Sequence, residues 1–294
     1  MHYRLLHRTA YEYETDVSVA HHLLRLTPPT NHRQHCREHE LRFDPQPRCL
    51  HRYADYYGNA TLFVTMEGVH RGWQITALSR VEIEPASVPQ PRDTPPWETV
   101  PALLEVSQAP EHCQAAEFRF SSPLIHCRAE YADYARASFA PDRPVLEAAI
   151  DLTRRVFSDF QFDPKATHAA TPIQQVFRER RGVCQDFAQI QIACLRSLGI
   201  AARYVSGYLE TQPPPGKPKL TGADASHAWV SFFCPGHGWI DLDPTNNSLP
   251  ADRHIVVACG RDFSDVSPVR GVIVGGGNHT LQVAVDVARC GGEP

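Results

Sequence analysis

The sequence predicts an α+β protein built from two domains. Its 294 residues are enough for two hydrophobic cores of ordinary size. Apolar and polar residues alternate over residues 1–85, as in strands, whereas the middle of the chain has helical periodicity and the remainder is strand-like again. Helices followed by a run of strands are typical of an α+β domain.

The first segment favours a β-sandwich-like domain. Short runs of strand formers, such as residues 62–66, are separated by turn signals, such as residues 57–59. Near the start, the apolar positions that alternate with polar residues are Tyr11, Tyr13, Val17 and Val19. The pattern predicts several short strands joined by turns.

A proline-dense stretch marks the predicted domain boundary. Six prolines fall between Pro85 and Pro101, and such a composition suits an extended linker. We therefore assign residues 1–95 to the N-terminal domain with its linker, and residues 96–294 to the second domain.

The second domain is predicted to hold three clear helices before its strands. One begins at Pro144 and a second follows Thr171 and Pro172. The third ends at Gly199, and its apolar stripe consists of Val183, Phe187, Ile190, Cys194 and Leu198. Strands are predicted over residues 202–209, 228–233, 239–242 and 281–287.

Composition and charge argue against several classes of function. The net charge is -4 and the sequence has no basic stripe, which argues against a nucleic-acid partner. No apolar run approaches the ~20 residues of a membrane span, and no apolar core of a signal peptide follows Met1, so we expect a cytoplasmic protein. The nine cysteines form no CxxC motif, and we expect most of them to be buried, reduced thiols.

One cysteine lies where a thiol could act as a nucleophile. Cys184 comes two residues after Gly182, in the first turn of the third helix. The partial positive charge of a helix N-terminus stabilises a thiolate, and the free N–H groups there could hold an oxyanion. Cys194 lies on the apolar stripe of the same helix, so we expect it to be buried.

A histidine and two aspartates follow in a predicted hairpin. His227 begins one strand, residues 234–238 form a tight loop, and Asp241 and Asp243 end the next strand. A thiol nucleophile needs a base, and a carboxylate on the adjacent strand can orient that base. The two aspartates are two residues apart, and the pattern alone does not choose between them.

At these residues the chain resembles the bacterial transglutaminase-like proteins, whose core is related to the papain-like cysteine hydrolases. The matching core blocks are residues 181–188, 201–208, 224–230 and 238–246. Further likeness lies in residues 55–59 and 260–271 and in the final strand. The resemblance implies a transglutaminase-like catalytic core with Cys184, His227 and Asp243 as the triad, because the family's aspartate precedes Pro-Thr.

The resemblance implies acyl transfer from a peptide or protein amide through a thioester. We favour hydrolysis by water over cross-linking to an amine, because amine transfer requires a second, dry acceptor site. A transglutaminase with an amine acceptor is the alternative. The chemistry needs no cofactor, and the sequence leaves the oligomeric state open.

Three further interpretations concern binding. A scaffold that binds peptides without catalysis would use the same fold with an inert thiol. A metal site is conceivable at His32, His35, Cys36 and His39, although a solvated histidine-rich turn explains this cluster more simply. The loop over residues 212–219 is interpreted as a stiff surface connection, with a lid over the substrate groove as the alternative.

Overall fold

The computed structural model describes residues 1–85, 87–168, 170–211 and 226–290. The predicted loop over residues 212–219 lies outside these ranges. In chain order the elements are β1 (His2–Leu24), β2 (Gln34–Asp44), β3 (Cys49–Ala54), β4 (Ala60–Ile83), α1 (Thr99–Val106), α2 (Pro110–Ala116), α3 (Ala129–Arg136), α4 (Val145–Asp159), β5 (Gln161–Phe162), α5 (Ile173–Glu179), β6 (Arg181–Gly182), α6 (Cys184–Ser197), β7 (Ala202–Leu209), β8 (Ser226–Cys234), β9 (Gly238–Leu242), β10 (His254–Gly260), α7 (Phe263–Val266), β11 (Val269–Gly275) and β12 (His279–Cys290).

Two long antiparallel strands, β1 and β4, run through the whole first sheet. The first half of β1 pairs with β12 and its second half with β11, whereas β4 pairs with β2 and then with β3. Buried residues from both halves meet in one core, which includes Val17, Leu24, Met66, Trp73 and Ile75. The predicted N-terminal β region is confirmed, but its strands are not all short as the sequence suggested, since β1 has 23 residues and β4 has 24.

The C-terminal strands differ from the predicted division. Residues 96–294 were expected to form one separate domain, yet β11 and β12 both pair with β1 in the first sheet. The alternation over residues 281–287 correctly predicted a strand, but alternation does not specify which strand is the partner. The boundary near residue 95 stays a prediction.

The second sheet has the strand order β10-β7-β8-β9, and helix α6 packs on it. Phe187, Ile190 and Leu195 of α6 belong to the same core as Val230 and Phe232 of β8. The predicted α6 helix is confirmed, and Gly199 follows it with a φ of 80°. Helices α4 and α5 each begin one residue after the proline that was predicted to start them.

The two sheets are joined at strand β10, the outer strand of the second sheet. The Gln34 side-chain amide donates to the Val256 carbonyl at 2.9 Å and accepts from the Val256 N–H at 2.8 Å. Asn59 bonds the backbone of Cys259 in the same reciprocal way, with both distances 2.8 Å. Side-chain amides from the first sheet thus take the place that a neighbouring strand would have on β10.

Among the described helices, none combines the length and apolar character that a membrane crossing requires.

Candidate active site

The N-terminus of α6 is capped by the side chain of an aspartate in its own first turn. The buried Asp186 carboxylate accepts from the Val183 N–H at 2.9 Å and from the Thr167 hydroxyl at 2.6 Å. A Cβ on Gly182 would lie 2.6 Å from this carboxylate, so glycine leaves the space that the cap needs. Cys184 is the first residue of the helix, and its side chain is partly buried. Of the nine cysteines only Cys194 and Cys234 are fully buried, so the expectation that most would be buried is wrong.

His227 lies between the thiol and an aspartate. It is the second residue of β8, and its Nε2 donates to Asp243 Oδ2 at 2.8 Å. Cys184 lines the same cleft as His227, and its side chain contributes to the electrostatic environment of the imidazole. The three residues predicted from the sequence are therefore adjacent, in the order Cys184, His227, Asp243.

Asp241, the alternative left open by the strand pattern, lies elsewhere. It lines a separate cavity with His32, Arg33 and His237. Asp243 is fully buried directly after β9, where it forms an isolated bridge with Ser248. The hairpin of β8 and β9 formed as predicted, and it brings Asp243 rather than Asp241 to the histidine.

Asp243 is held by more groups than the sequence suggested. His254 Nε2 donates to the same Oδ2 at 2.9 Å, and the Asn246 side-chain amide donates to it at 2.7 Å. The other oxygen, Oδ1, accepts from the backbone N–H groups of Thr245 and Asn246. Sequence reasoning missed His254, because nothing in the local pattern around it indicates a contact with a residue in another strand.

Burial and hydrogen bonding act in opposite directions on the charges of this site. Burial by itself would lower the pKa of His227, but the hydrogen bonds to Asp243 and Cys184 outweigh burial and raise this pKa. Burial would raise the pKa of Asp243, but hydrogen bonds from His227, His254 and Asn246 hold it well below its usual range. The site therefore favours an imidazolium next to a carboxylate.

Two groups of residues have the donor atoms of a metal site. Within the described ranges, the imidazole and carboxylate atoms of His227, Asp243 and His254 lie within 4.8 Å of one another. A metal there would displace the hydrogen bonds that already join them, so we interpret the group as a hydrogen-bond network. In the histidine-rich segment considered from sequence, both ring nitrogens of His39 bond hydroxyls, those of Thr27 and Ser79.

The thiol opens into a cleft that both sheets line. The cleft holds about 330 Å³. The second sheet and α6 contribute Cys184, His227 and Tyr204, and strands β1 and β12 of the first sheet contribute Tyr11 and Leu281 among others. The first sheet therefore forms one wall of the candidate site.

A cysteine at a helix start, with a histidine and an aspartate on the adjacent hairpin, defines the transglutaminase-like class of fold. Residues 3–82 match the family described as the bacterial transglutaminase-like N-terminal region, and residues 132–244 match the transglutaminase-like superfamily. An uncharacterized protein of Mycobacterium tuberculosis is 40% identical over 294 residues, which cover 97% of this chain and 92% of that protein. The chain belongs to the bacterial transglutaminase-like family.

Two other similar proteins carry functional descriptions. A protein-glutamine gamma-glutamyltransferase of Pseudomonas aeruginosa is 31% identical over 120 residues, which cover 40% of this chain and 18% of that protein. A crystal structure of a cysteine protease candidate from Cytophaga hutchinsonii matches with a TM-score of 0.78 and 19% identity, covering 100% of this chain and 92% of that chain. The second likeness shows the fold alone.

Proposed function

We propose that the chain is a cysteine-dependent acyl-transfer enzyme that hydrolyses amide bonds in peptides or proteins. Cys184 is the nucleophile, His227 is the general base and acid, and Asp243 orients the histidine. The observation that carries this proposal is the His227 ring, which lies in one cleft with the Cys184 thiol and is hydrogen-bonded to the buried Asp243 carboxylate.

The proposed reaction has two halves. His227 takes the thiol proton, and the thiolate attacks the amide carbonyl carbon to form a C–S bond. The C–N bond then breaks, the amine leaves with the proton from His227, and a thioester remains. Water, deprotonated by His227, attacks the thioester, and the C–S bond breaks to release a carboxylic acid and restore the thiol.

The oxyanion formed in both halves needs hydrogen-bond donors. The Cys184 N–H lies at the first position of α6, where backbone N–H groups have no partner within the helix. We assign it as one donor, because such preorganised groups stabilise developing negative charge. The helix dipole acts in the same direction.

Transfer to an amine is the second candidate, favoured by the similarity to the Pseudomonas aeruginosa transferase over the matched segment. Both reactions share the thioester and differ only in the group that resolves it. We keep hydrolysis as the proposal, since water reaches an open cleft without a dedicated site.

We also keep the cytoplasm as the proposed compartment, because all nine cysteines are unpaired.

The first test follows the labelling of Cys184 by iodoacetamide at about pH 6, where an ordinary thiol with a pKa of about 8.5 is almost fully protonated. We expect fast labelling, because the raised pKa of His227 favours an imidazolium that would stabilise negative charge on the attacking sulfur. His227→Ala should slow the reaction at least tenfold, a loss of about 1.4 kcal/mol. Mass spectrometry identifies the labelled residue, and Cys184→Ala gives the background.

The second step offers casein-derived peptides with and without a biotinylated amine. New carboxyl groups, at new chain ends or where glutamine becomes glutamate, would support hydrolysis, and incorporation of biotin would support amine transfer. Labelling of Cys184 at the rate of an ordinary thiol, with neither product formed, would instead support a peptide-binding scaffold.

A further inference from the structure

One face of strand β12 is apolar along its length, but only part of that face is buried between the two sheets. Val285 and Val287 are 1% and 0% exposed and pack with residues of β7 and β10. Val283 and Leu281 lie two and four positions before Val285 on the same face, and they are 50% and 51% exposed. The opposite face of this stretch carries polar residues, including Thr280 and Gln282.

The uncovered part of this face lies in the cleft that holds the thiol. Leu281 is the direct cross-strand neighbour of Tyr11, and Val283 is that of Thr9, so all four side chains share one face of the sheet. Each of them lines the same cleft as Cys184 and His227. We call Tyr11, Leu281 and Val283 the apolar strip.

The cleft is also free of permanent charge in its described lining. Among the seventeen described residues that line it, none is Asp, Glu, Lys or Arg. Burial lowers the pKa of His7, at the inner end of the cleft, to about 4, so this histidine is neutral near neutral pH. The His227 imidazolium is already paired with Asp243, so among the described lining residues no unpaired charge is present to offset the lost hydration of a charged group that enters.

We propose that the apolar strip is the substrate subsite next to the reacting amide, and that it selects substrates with a neutral aliphatic or aromatic side chain there. This inference rests on the proposed function and adds the substrate class to it. A single bulky side chain would cover Leu281 and Val283 and fill much of the 330 Å³ cleft. The first sheet is then part of the specificity site.

The test compares three alkylating reagents on the full-length chain: iodoacetamide, its N-phenethyl derivative and its N-carboxymethyl derivative. Each rate of labelling at Cys184 is divided by the rate of the same reagent with glutathione. We expect the phenethyl reagent to be favoured over iodoacetamide by about tenfold, because its ring buries apolar surface on the strip. The carboxymethyl reagent should be disfavoured.

The variants Leu281→Ser and Val283→Ser should each reduce the phenethyl preference several-fold. Val272→Ser is the matched control, since Val272 is 68% exposed on the adjacent β11 and does not line the cleft, and it should retain the preference. Fast labelling by iodoacetamide with no phenethyl preference, or a preference unaffected by both variants, would overturn the subsite alone. Slow labelling by all reagents would instead contradict the proposed nucleophile.

Discussion

Asp243 is the most heavily hydrogen-bonded group of the candidate site. It accepts from two histidines, one side-chain amide and two backbone N–H groups. These donors stabilise the ionised carboxylate and fix its orientation before a substrate binds. Because His227 shares Oδ2 with His254, the position of the His227 imidazole depends on a residue that does not line the cleft of the thiol.

Replacing His254 should therefore change the rate at which Cys184 is labelled, although His254 does not line the cleft of the thiol. In His254→Phe we expect the acid limb of the labelling rate at Cys184 to move to higher pH, because Asp243 loses a donor that fixes its orientation and then stabilises the His227 imidazolium less well. The rate at about pH 6 should fall about tenfold, as for one lost hydrogen bond to a charged group. The measurement is a labelling profile from about pH 4 to 9.

His254→Gln provides the matched control for this residue. Its side-chain amide still offers an N–H donor, so it should recover part of the lost rate. A profile of His254→Phe that overlays that of the unmodified chain would show that His254 has no positioning role.

At the scale of single elements, the start of α6 depends on residues that surround the cysteine rather than on the cysteine itself. Gly182 provides space, Asp186 caps the helix, and Thr167 holds the carboxylate from the preceding loop. This arrangement fixes the first turn of the helix, and with it the direction of the Cys184 side chain and its N–H group.

Removing the cap should weaken both the fold and the site. Asp186→Ala is expected to lower the free energy of unfolding by about 1–2 kcal/mol, because the Val183 N–H and the Thr167 hydroxyl lose a shared acceptor. Urea denaturation followed by circular dichroism measures this change. Glu130→Ala is a suitable control, since Glu130 is an exposed acid in the first turn of α3, and its loss should cost no more than about 0.5 kcal/mol.

The elements predicted well are those whose signals are local. Helix α6 shows its periodicity within one stretch, and residues 226–242 contain both strands of the hairpin and its turn. The contact of His254 with Asp243 and the pairing of β12 with β1 could not be predicted in this way, because each depends on how separate strands align. The local pattern at residues 57–59 indicated only a turn, and it could not predict that Asn59 contacts Cys259 across 200 residues of sequence.

At the scale of the molecule, the two sheets form one unit with the candidate site between them. Gln34 and Asn59 cover the edge of β10, and His7 bridges the sheets through the Tyr208 hydroxyl at 2.8 Å. The second ring nitrogen of His7 bonds Thr9 at 2.9 Å, so both nitrogens are used within the buried contact. The contact is compatible with a neutral ring, and protonation would place a charge in an apolar interface.

This contact predicts how stability depends on pH. Burial lowers the pKa of His7 from 6.5 to about 4. Between these values the unfolded chain binds a proton that the folded chain does not, so stability falls as pH decreases. From about pH 7 to 5 this residue alone should cost on the order of 2 kcal/mol.

Thermal unfolding at the two pH values tests the expectation. In His7→Gln, which keeps hydrogen-bonding groups but does not titrate, the loss of stability on acidification should be smaller by about that amount. The exposed His51 is the control, and His51→Gln should leave the loss unchanged. An equal loss in both variants would contradict the assignment.

The pairing of β12 with β1 also sets an order of events during synthesis. Cys184, His227 and Asp243 precede β12 in the chain, so the ribosome makes the proposed nucleophile and base before Leu281 and Val283. Until β12 emerges and pairs with β1, the part of the cleft wall that Leu281 and Val283 form is missing. A growing chain therefore carries its thiol before the proposed subsite is complete.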